Sequence, residues 1–416
     1  MKPLFYAAVI SALLAACNSA NSSSNQVRTD TTRTDAAQTA PPVETKKPNT
    51  DYEPAFEGQT RIAGTTTTTP VKTTLLTKSL KAPWGIVALP DGRLFITETE
   101  GQMRIADSET GELSDAITGI PEVDDRGQGG LLGLTLAPDF PQSRMVYWVF
   151  SEKVQDGNHT AVAKGQLADD EKSIENATVI YRAVPTYDGN KHYGGRVIFD
   201  QDGNLFVSIG ERSDKGIRER AQDLNSSLGT IIRITTDGDP VAGNPFEDRT
   251  DALPEIYSYG HRNPQGIDLH PETGALWINE FGPRGGDELN LIKPGANYGW
   301  PVITYGIEYS GAPIGDPPIQ RKEGMEQPVY YWDPVISASG MTFYTGTKVP
   351  EWENNLFLAA LSGNHIARLV IENERVVGEE RLLEGERERF RDITQGPDGA
   401  LYAVTQGGKL YKIDRE

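Results

Sequence analysis

Pro90-Asp-Gly-Arg-Leu-Phe-Ile-Thr97 is the stretch that decides the fold, because its pattern returns along the chain. A tight turn is followed by a leucine, an aromatic residue and alternating β-formers. The glycine allows the positive φ of a hairpin turn, and the residues after it favour a half-buried strand. Clear copies lie at residues 201–208, 272–279 and 397–404, and weaker copies at 142–149 and 353–359.

The spacing of the six copies predicts the architecture. Spread over about 345 residues, they average slightly under 60 residues each, whereas a four-stranded propeller blade takes about 40 to 50 residues, which leaves room for long loops. A β-sandwich would not need this repeat, and a β-helix would need a much shorter one. We therefore predict an all-β, six-bladed propeller of four-stranded antiparallel blades over residues 71–416, with loops from every blade meeting at one mouth.

The N-terminal segment has the pattern of an export signal. Met1 and Lys2 precede an apolar run at residues 4–16, and such a run of about 13 residues is too short to span a bilayer. Leu14-Ala-Ala-Cys17 resembles a bacterial lipobox. It predicts a signal peptide at residues 1–16 and a lipid on Cys17, with an ordinary signal peptide or a buried cysteine as the alternative. Asn18 is not the inner-membrane retention residue of Gram-negative sorting, so we expect anchoring on the periplasmic side of the outer membrane.

Composition limits the other possibilities. Residues 17–70 are rich in Ser, Thr, Asn, Gln and Pro, which predicts a lipidated cysteine followed by a disordered tether. Cys17 is the only cysteine, so an exported domain would have no internal disulfide and would depend on core burial and bound ions. The net charge of −19 argues against nucleic acid as a partner, since phosphate binding needs a basic face.

Histidine and arginine are the candidate chemical groups. His192, one of five histidines, precedes two glycines and is suited to accept a proton from a substrate hydroxyl, although a structural role is the alternative. Arg262 and Asn263 form a second polar pair. Arg389 and Arg391 share one face of a strand, with Phe390 on the other. Two guanidinium groups on one face require an anionic partner, either protein carboxylates or a polycarboxylate cofactor.

Two glycine-rich loops are candidate ligand sites. The loop at residues 127–133 lacks the Lys-Ser/Thr of a phosphate loop, but suits close approach to a flat ligand, with Gln128 as a hydrogen-bonding amide. A plain interblade turn is the alternative. The loop at residues 280–288 offers carboxylates and open carbonyls, which are ligands for calcium, unless it is only a solvated acidic loop. No Cys/His cluster suggests zinc, and no Gly-x-Ser-x-Gly suggests acyl transfer.

Taken in order, these stretches resemble the soluble quinoprotein glucose/sorbosone dehydrogenase family, most closely its periplasmic aldose sugar dehydrogenase branch. The matches cover nearly all of residues 75–415. They are Gly127-Gln-Gly-Gly-Leu-Leu-Gly133, His192-Tyr-Gly-Gly-Arg196, Ala221-Gln-Asp-Leu224, Tyr259-Gly-His-Arg-Asn-Pro-Gln-Gly266, Gly282-Pro-Arg-Gly-Gly-Asp-Glu-Leu-Asn290, Ala296-Asn-Tyr-Gly-Trp-Pro301, Gln327-Pro-Val-Tyr-Tyr-Trp332 and Arg389-Phe-Arg-Asp392.

The resemblance implies a six-bladed propeller with pyrroloquinoline quinone (PQQ) and calcium at its mouth. It assigns His192 as the general base and Arg262 as a catalytic cation. The carbonyls of Gly282 and Pro283 would hold the cofactor calcium, and Glu288 and Tyr298 match further calcium positions. The implied cofactor contacts are Gln128, Arg262, Asn263, Tyr309, Ala360, Leu361, Ser362, Arg389, Phe390 and Arg391.

The implied reaction is oxidation of an aldose at C1 to the lactone, with hydride passing to C5 of the quinone and electrons leaving to an unidentified acceptor. Ser362 stands where soluble glucose dehydrogenases have a lysine, so their substrate preference and cofactor affinity do not transfer. Their dimer-forming insertions have no counterpart here, so we expect a monomer. The alternatives are a propeller that only binds a carbohydrate or a partner, and a calcium-dependent lactonase-type hydrolase.

Overall fold

The computed structural model describes residues 40–416, so the predicted signal peptide and Cys17 lie outside the described residues. Within residues 40–416, no helix is long and apolar enough to cross a membrane.

The helices are α1 (Phe140–Ser143) and three 3-10 turns at Arg218–Gln222, Pro350–Trp352 and Glu384–Glu386. The strands are β1 (Val71–Thr77), β2 (Pro83–Ala88), β3 (Leu94–Glu98), β4 (Gln102–Ala106), β5 (Leu131–Leu136), β6 (Met145–Val154), β7 (Gly157–Leu167), β8 (Ile174–Arg182), β9 (Val197–Phe199), β10 (Leu205–Ile209), β11 (Thr230–Ile234), β12 (Ile256–Tyr259), β13 (Pro264–Leu269), β14 (Leu276–Glu280), β15 (Asp287–Leu291), β16 (Tyr330–Trp332), β17 (Ala338–Phe343), β18 (Leu356–Ala360), β19 (His365–Glu372), β20 (Arg375–Leu382), β21 (Phe390–Gln395), β22 (Leu401–Thr405) and β23 (Leu410–Arg415).

These strands form six antiparallel sheets, which confirms the six-bladed propeller. Five sheets have four strands, and the first, β2-β3-β4, has three. In that blade, isolated bridges from Leu113 and Ile117 continue the pairing outside β4. The innermost strands β2, β5, β9, β13, β17 and β21 each contact the next, and β21 contacts β2, so the ring is closed. Strand β1 pairs with β23, which joins both ends of the domain in the last blade.

Each copy of the sequence repeat supplies the second strand of one blade. The leucine and the aromatic residue of each copy enter different cores, because alternate side chains point to opposite faces of a strand. In β3, for example, Leu94 packs against blade 6 and Phe95 packs against blade 2. The prediction of half-buried strands was therefore wrong for these strands. They are buried on both faces, since every blade is covered by two neighbours.

Six apolar clusters, one between each pair of adjacent blades, form the core of the ring. A seventh, small cluster consists of Ala221, Trp300 and Ile314. Burying a large apolar side chain stabilises a fold by about 1.5 to 3 kcal/mol. Trp148, Trp277 and Trp352 are among the largest fully buried side chains and lie in three different clusters. The blades form a closed ring, and the loops at one end of this ring form the candidate site.

Residues 40–70 correct the predicted extent of the tether. They pack along blades 4 to 6, and we call them the strap. Their backbone and hydroxyl groups bond to carboxylates far along the chain, because Asp333, Glu351 and Glu380 accept from Asn49, Thr50 and residues 67–69. The segment was predicted to be disordered because it has few apolar residues. These hydrogen bonds hold it against the propeller instead.

Candidate active site

A cavity of about 220 Å³ opens at one end of the propeller axis, and all six blades contribute to its lining. Five of the predicted cofactor contacts lie on its wall: Gln128, Tyr309, Leu361, Arg389 and Arg391. The other lining residues are Trp84, Tyr193, Gly194, Gln265, Phe281, Ser337 and Gln406. Residues that are distant in the sequence therefore meet in one place, as expected for a propeller mouth.

His192 lies next to this wall and is held by a carboxylate. Its backbone has a left-handed φ of 49°, and its ring is buried. Its Nδ1 lies 2.9 Å from Oε1 of the fully buried Glu211. The other oxygen of Glu211 accepts from the backbone N–H of Ser213. With Nδ1 donating to Glu211, Nε2 carries the free lone pair, and no group in the described part of the chain hydrogen bonds to it.

The surroundings keep this imidazole neutral. The pKa of His192 is lowered from 6.5, mainly because burial disfavours the charged ring, and further because Arg262 is nearby. The hydrogen bond and the charge of Glu211 act in the opposite direction. The neutral form is the one that a general base needs at neutral pH.

Gln128 and Asn263 brace the loop that carries His192. Oε1 of Gln128 accepts from the backbone N–H of His192 at 2.9 Å, and Oδ1 of Asn263 accepts from Gly194 at 3.0 Å. The amide nitrogen of Gln128 has no hydrogen-bond partner among residues 40–416, and Gln128 lines the cavity. The amide oxygen of Gln128 therefore holds the His192 loop, while its amide nitrogen is available to a ligand.

Arg389 and Arg391 face the cavity without an anionic partner. Arg389 bonds to Gln406 and the Leu361 carbonyl, and Arg391 bonds to Gln265 and Ser339. Neither forms an ion pair with a carboxylate of the described chain. Because Arg391 is withdrawn from solvent and lies near Arg196 and Arg389, its pKa is lowered to about 9. An anion in the cavity would relieve this excess of positive charge.

A buried ion pair forms the floor beneath Arg391. Arg196 Nη1 lies 2.5 Å from Asp392 Oδ2, and its guanidinium lies over the Trp84 ring at 4.2 Å. Below the pair, a second cavity of about 180 Å³ continues along the axis. A Cβ at Gly340 would overlap both charged groups, so the close approach of this inner strand requires glycine. The pair thus separates the mouth from the axial channel.

The predicted metal ligands meet in a second, smaller cavity. Gly282, Pro283, Glu288 and Tyr298 all line a void of about 10 Å³, together with Arg262. Phe281 lines both this void and the mouth, so the two sites are adjacent. Such a void has the size of one water or ion.

Arg262 bridges this site and the base. Its Nη1 donates to the carbonyls of Phe281 and Gly282, at 2.9 Å in each case, and its charge lowers the pKa of His192. Its Nε is buried without a partner in residues 40–416. A buried donor of this kind indicates that a further polar ligand is expected beside it.

Three carboxyl groups lie at or next to the small void: Glu280 and Glu288 line it, and Asp287 accepts from the backbone N–H of Gly282. Burial raises the pKa of Asp287 to about 7, and burial together with Glu280 raises that of Glu288 well above its usual value. A cation would stabilise both carboxylates. The described residues contain no group of three or more His, Cys, Asp or Glu side chains placed to hold a metal. A metal here would therefore rely on backbone carbonyls as well as on carboxylates.

Three predicted cofactor contacts do not line the cavity. Phe390 packs in the core between blades 5 and 6, and Ala360 in the core between blades 4 and 5. Their side chains do not line the cavity, because strand alternation turns them away from it. Ser362 hydrogen bonds to Ser337 of the wall at 2.8 Å.

Glu211, Arg196 and Asp392 were not identified as site residues in the sequence. Glu211 lies two residues after the buried strand β10, and an acidic residue at such a position is the signal that could have indicated it. Arg196 and Asp392 are present in two of the matching runs, but only the fold brings them together.

Comparisons with known proteins agree with this geometry. Residues 80–412 match the family model described as Glucose / Sorbosone dehydrogenase. The chain is 41% identical over 347 residues to the Escherichia coli protein Aldose sugar dehydrogenase YliI, covering 82% of this chain and 92% of that protein. The structure of soluble aldose sugar dehydrogenase from Escherichia coli in its apo form is 40% identical, with a TM-score of 0.79 over 83% of this chain and all (100%) of that one.

A cofactor-bound structure is also similar. The PQQ-bound aldose sugar dehydrogenase from Streptomyces coelicolor is 29% identical, with a TM-score of 0.68, covering 84% of this chain and 99% of that one. The family model, the identity to a full-length relative and the shared propeller agree. This chain belongs to the glucose/sorbosone dehydrogenase family.

Proposed function

We propose that the protein is a PQQ-dependent dehydrogenase that oxidises aldose sugars at C1 to the lactone. The observation that carries the proposal is the pair Arg389 and Arg391. Both face the cavity at the mouth of the propeller, and neither is paired with a carboxylate of the described residues. PQQ is a planar tricarboxylate, and arginine binds carboxylates in a bidentate manner. The PQQ-bound relative from Streptomyces coelicolor supports the same conclusion.

His192 is the proposed base. Its neutral Nε2 would accept the proton of the anomeric hydroxyl, and Glu211 would stabilise the imidazolium that results. Arg262, close to the base, supplies positive charge where negative charge develops during the oxidation. PQQ, when bound, supplies the two-electron acceptor for the hydride of C1. The exposed Tyr309 lies at the rim where a sugar would enter.

Calcium is the proposed cation of the small void. The carbonyls of Gly282 and Pro283 and the carboxylate of Glu288 are hard oxygen ligands, and Tyr298 completes the wall. Because the Gly282 carbonyl accepts from Arg262, a cation there would share this oxygen with the guanidinium or displace it. The buried carboxyl groups next to the void favour the arrival of positive charge.

PQQ binding and activity test this proposal. We expect a chain from residue 18 onward to oxidise aldoses with an artificial electron acceptor only after PQQ and calcium are added. Arg391→Met should weaken PQQ binding by about tenfold to a hundredfold, because charge-assisted hydrogen bonds contribute about 1.5 to 3 kcal/mol. Arg249→Met, which removes a surface arginine paired with Asp251, is the matched control and should change nothing.

The melting temperature of the Arg391→Met apoprotein shows whether a loss of PQQ binding comes from the lost contact or from a destabilised fold. Arg391 has no carboxylate partner in the described chain, so its loss should leave the melting temperature nearly unchanged. A large drop in melting temperature with unaltered PQQ affinity would contradict the assignment. Absence of PQQ binding and of activity on a panel of aldoses would instead favour a binding propeller, and ester hydrolysis with calcium alone would favour a lactonase.

We also propose export and lipid anchoring through Cys17, on the periplasmic side of the outer membrane. The support is the Leu14-Ala-Ala-Cys17 match and the short apolar run before it. Cys17→Ser should abolish lipid labelling and release the protein from the membrane fraction, while dehydrogenase activity is retained. Metabolic labelling with a fatty acid, followed by fractionation, measures both effects. Labelling that persists in Cys17→Ser would exclude this residue.

A further inference from the structure

The strap, residues 40–70, lies outside the residues matched by the family model. It is nevertheless linked to the loop at residues 281–286, directly through Arg284 and indirectly through Asp333 and Tyr305. That loop carries the Gly282 and Pro283 carbonyls and Phe281 of the cavity wall. We propose that the strap is a positioning element that holds this loop in the shape required for cation and cofactor binding. The relevance to PQQ rests on the proposed function, whereas the mechanical link does not.

Asp333 is the first link between strap and loop. Its buried carboxylate accepts from the Asn49 backbone N–H at 2.9 Å, from Asn49 Nδ2 at 2.8 Å, and from the Thr50 backbone and hydroxyl groups, both at 3.1 Å. In the part of the chain that the structure describes, every hydrogen bond to this carboxylate comes from the strap. The same carboxylate packs against Gly285, where a Cβ would lie 2.9 Å from Oδ1.

Arg284 is the second link and is itself part of the loop. Its Nε donates to Oδ1 of Asn49 at 3.1 Å. Its backbone exchanges two hydrogen bonds with Ile307, at 2.9 and 3.0 Å. Arg284 directly follows Pro283, so the strap holds the chain one residue away from a proposed cation ligand.

Tyr305 links the strap to the other side of the loop. Its single hydroxyl hydrogen is shared between Oε1 of Gln327, at 2.6 Å, and Oε1 of the strap residue Gln59, at 3.1 Å. Its ring stacks on the Tyr331 ring, with the centroids 4.1 Å apart. Gln59 is fully buried, and its backbone carbonyl accepts from the Tyr331 N–H. Tyr305 packs against Gly286, and the next residue, Gly306, packs against Pro283. The loop is thus held between the strap-bound Asp333 and the strap-bound Tyr305.

The link has an energetic reason. Asp333 is 4% exposed, and a buried carboxylate without hydrogen bonds is strongly unfavourable. Loss of the strap would drive Asp333 to turn toward water and to leave Gly285. Outer groups that orient metal ligands typically change metal affinity by about tenfold to a hundredfold when they are removed. The strap is placed to have an effect of this kind on the Gly282 and Pro283 carbonyls.

The test compares two double variants of the whole mature chain. Asn49→Ala/Thr50→Val removes the side-chain bonds to Asp333 and Arg284. Thr68→Ala/Thr69→Val removes two hydroxyl bonds to Glu351 at the far end of the strap and is the matched control. We expect amide exchange of residues 282–286 to be about tenfold faster in the first variant only. The affinity for PQQ with calcium should fall about tenfold in the first variant and stay unchanged in the control.

Unchanged exchange in residues 282–286 together with unchanged PQQ affinity would overturn the proposal. Equal effects in both double variants would also overturn it, because they would show general loosening. If Asn49→Ala/Thr50→Val does not fold, Asp333→Asn replaces it, since this change keeps the side-chain shape but removes one acceptor oxygen. If the wild-type chain binds no PQQ, the proposed function fails, while the exchange comparison still decides whether the strap positions the loop.

Discussion

His192→Ala is expected to lower kcat by at least about a hundredfold, since positioned general bases contribute about 10² to 10⁴. PQQ affinity should remain close to that of the wild type, because the cavity wall is formed by Gln128, Arg389 and Arg391 rather than by the imidazole. The measurement is steady-state oxidation of an aldose with saturating PQQ and calcium, combined with a PQQ titration. A lower kcat with unchanged PQQ affinity is the result expected for a general base.

The control for this variant is His270→Ala. His270 lies on the β13–β14 hairpin, where its Nδ1 accepts from the backbone N–H groups of Glu272 and Thr273. It does not line the mouth, so its loss should leave kcat and PQQ affinity unchanged. Turnover retained in His192→Ala would exclude the histidine as the base. Loss of PQQ binding in that variant would instead indicate that His192 holds the pocket.

The blade count followed from local chemistry. An Asp-Gly turn and a two-residue alternation act within eight residues, so each copy at 90–97, 201–208 or 397–404 predicts its own strand without help from the rest of the chain. The burial of these strands on both faces depends on neighbouring blades. No single copy carries that information.

The strap and Glu211 show where sequence patterns are insufficient. Residues 40–70 have the composition of a disordered segment, and their partners Asp333, Glu351 and Glu380 are far away in the chain. Glu211 is 19 residues from His192, and the antiparallel pairing of β9 with β10 brings the segment before β9 beside the segment after β10. The Arg389/Arg391 pair could be predicted from the sequence because the two residues are two positions apart at the start of one strand, β21. That neither arginine has a carboxylate partner in the described residues could be seen only in the structure.

Glu211→Gln is expected to lower kcat/KM by roughly a hundredfold or more, because the carboxylate both orients the imidazole and stabilises its charged form. The Gln amide is able to donate to Nδ1, which would place the proton on Nε2 and block the accepting nitrogen. Glu211→Asp keeps the negative charge and is the control for charge. It should lose part of the activity through a longer distance to Nδ1.

The pH profile distinguishes this role from a purely structural one. Glu211 raises the pKa of His192, while burial and Arg262 lower it, so removing the carboxylate should lower the pKa of His192 further. The base must be unprotonated, and activity is lost as pH falls through this pKa. The acid limb of kcat/KM should therefore move to lower pH in Glu211→Gln and stay near its wild-type position in Glu211→Asp. A reduced plateau with an unmoved acid limb in Glu211→Gln would mean that Glu211 only supports the fold around His192.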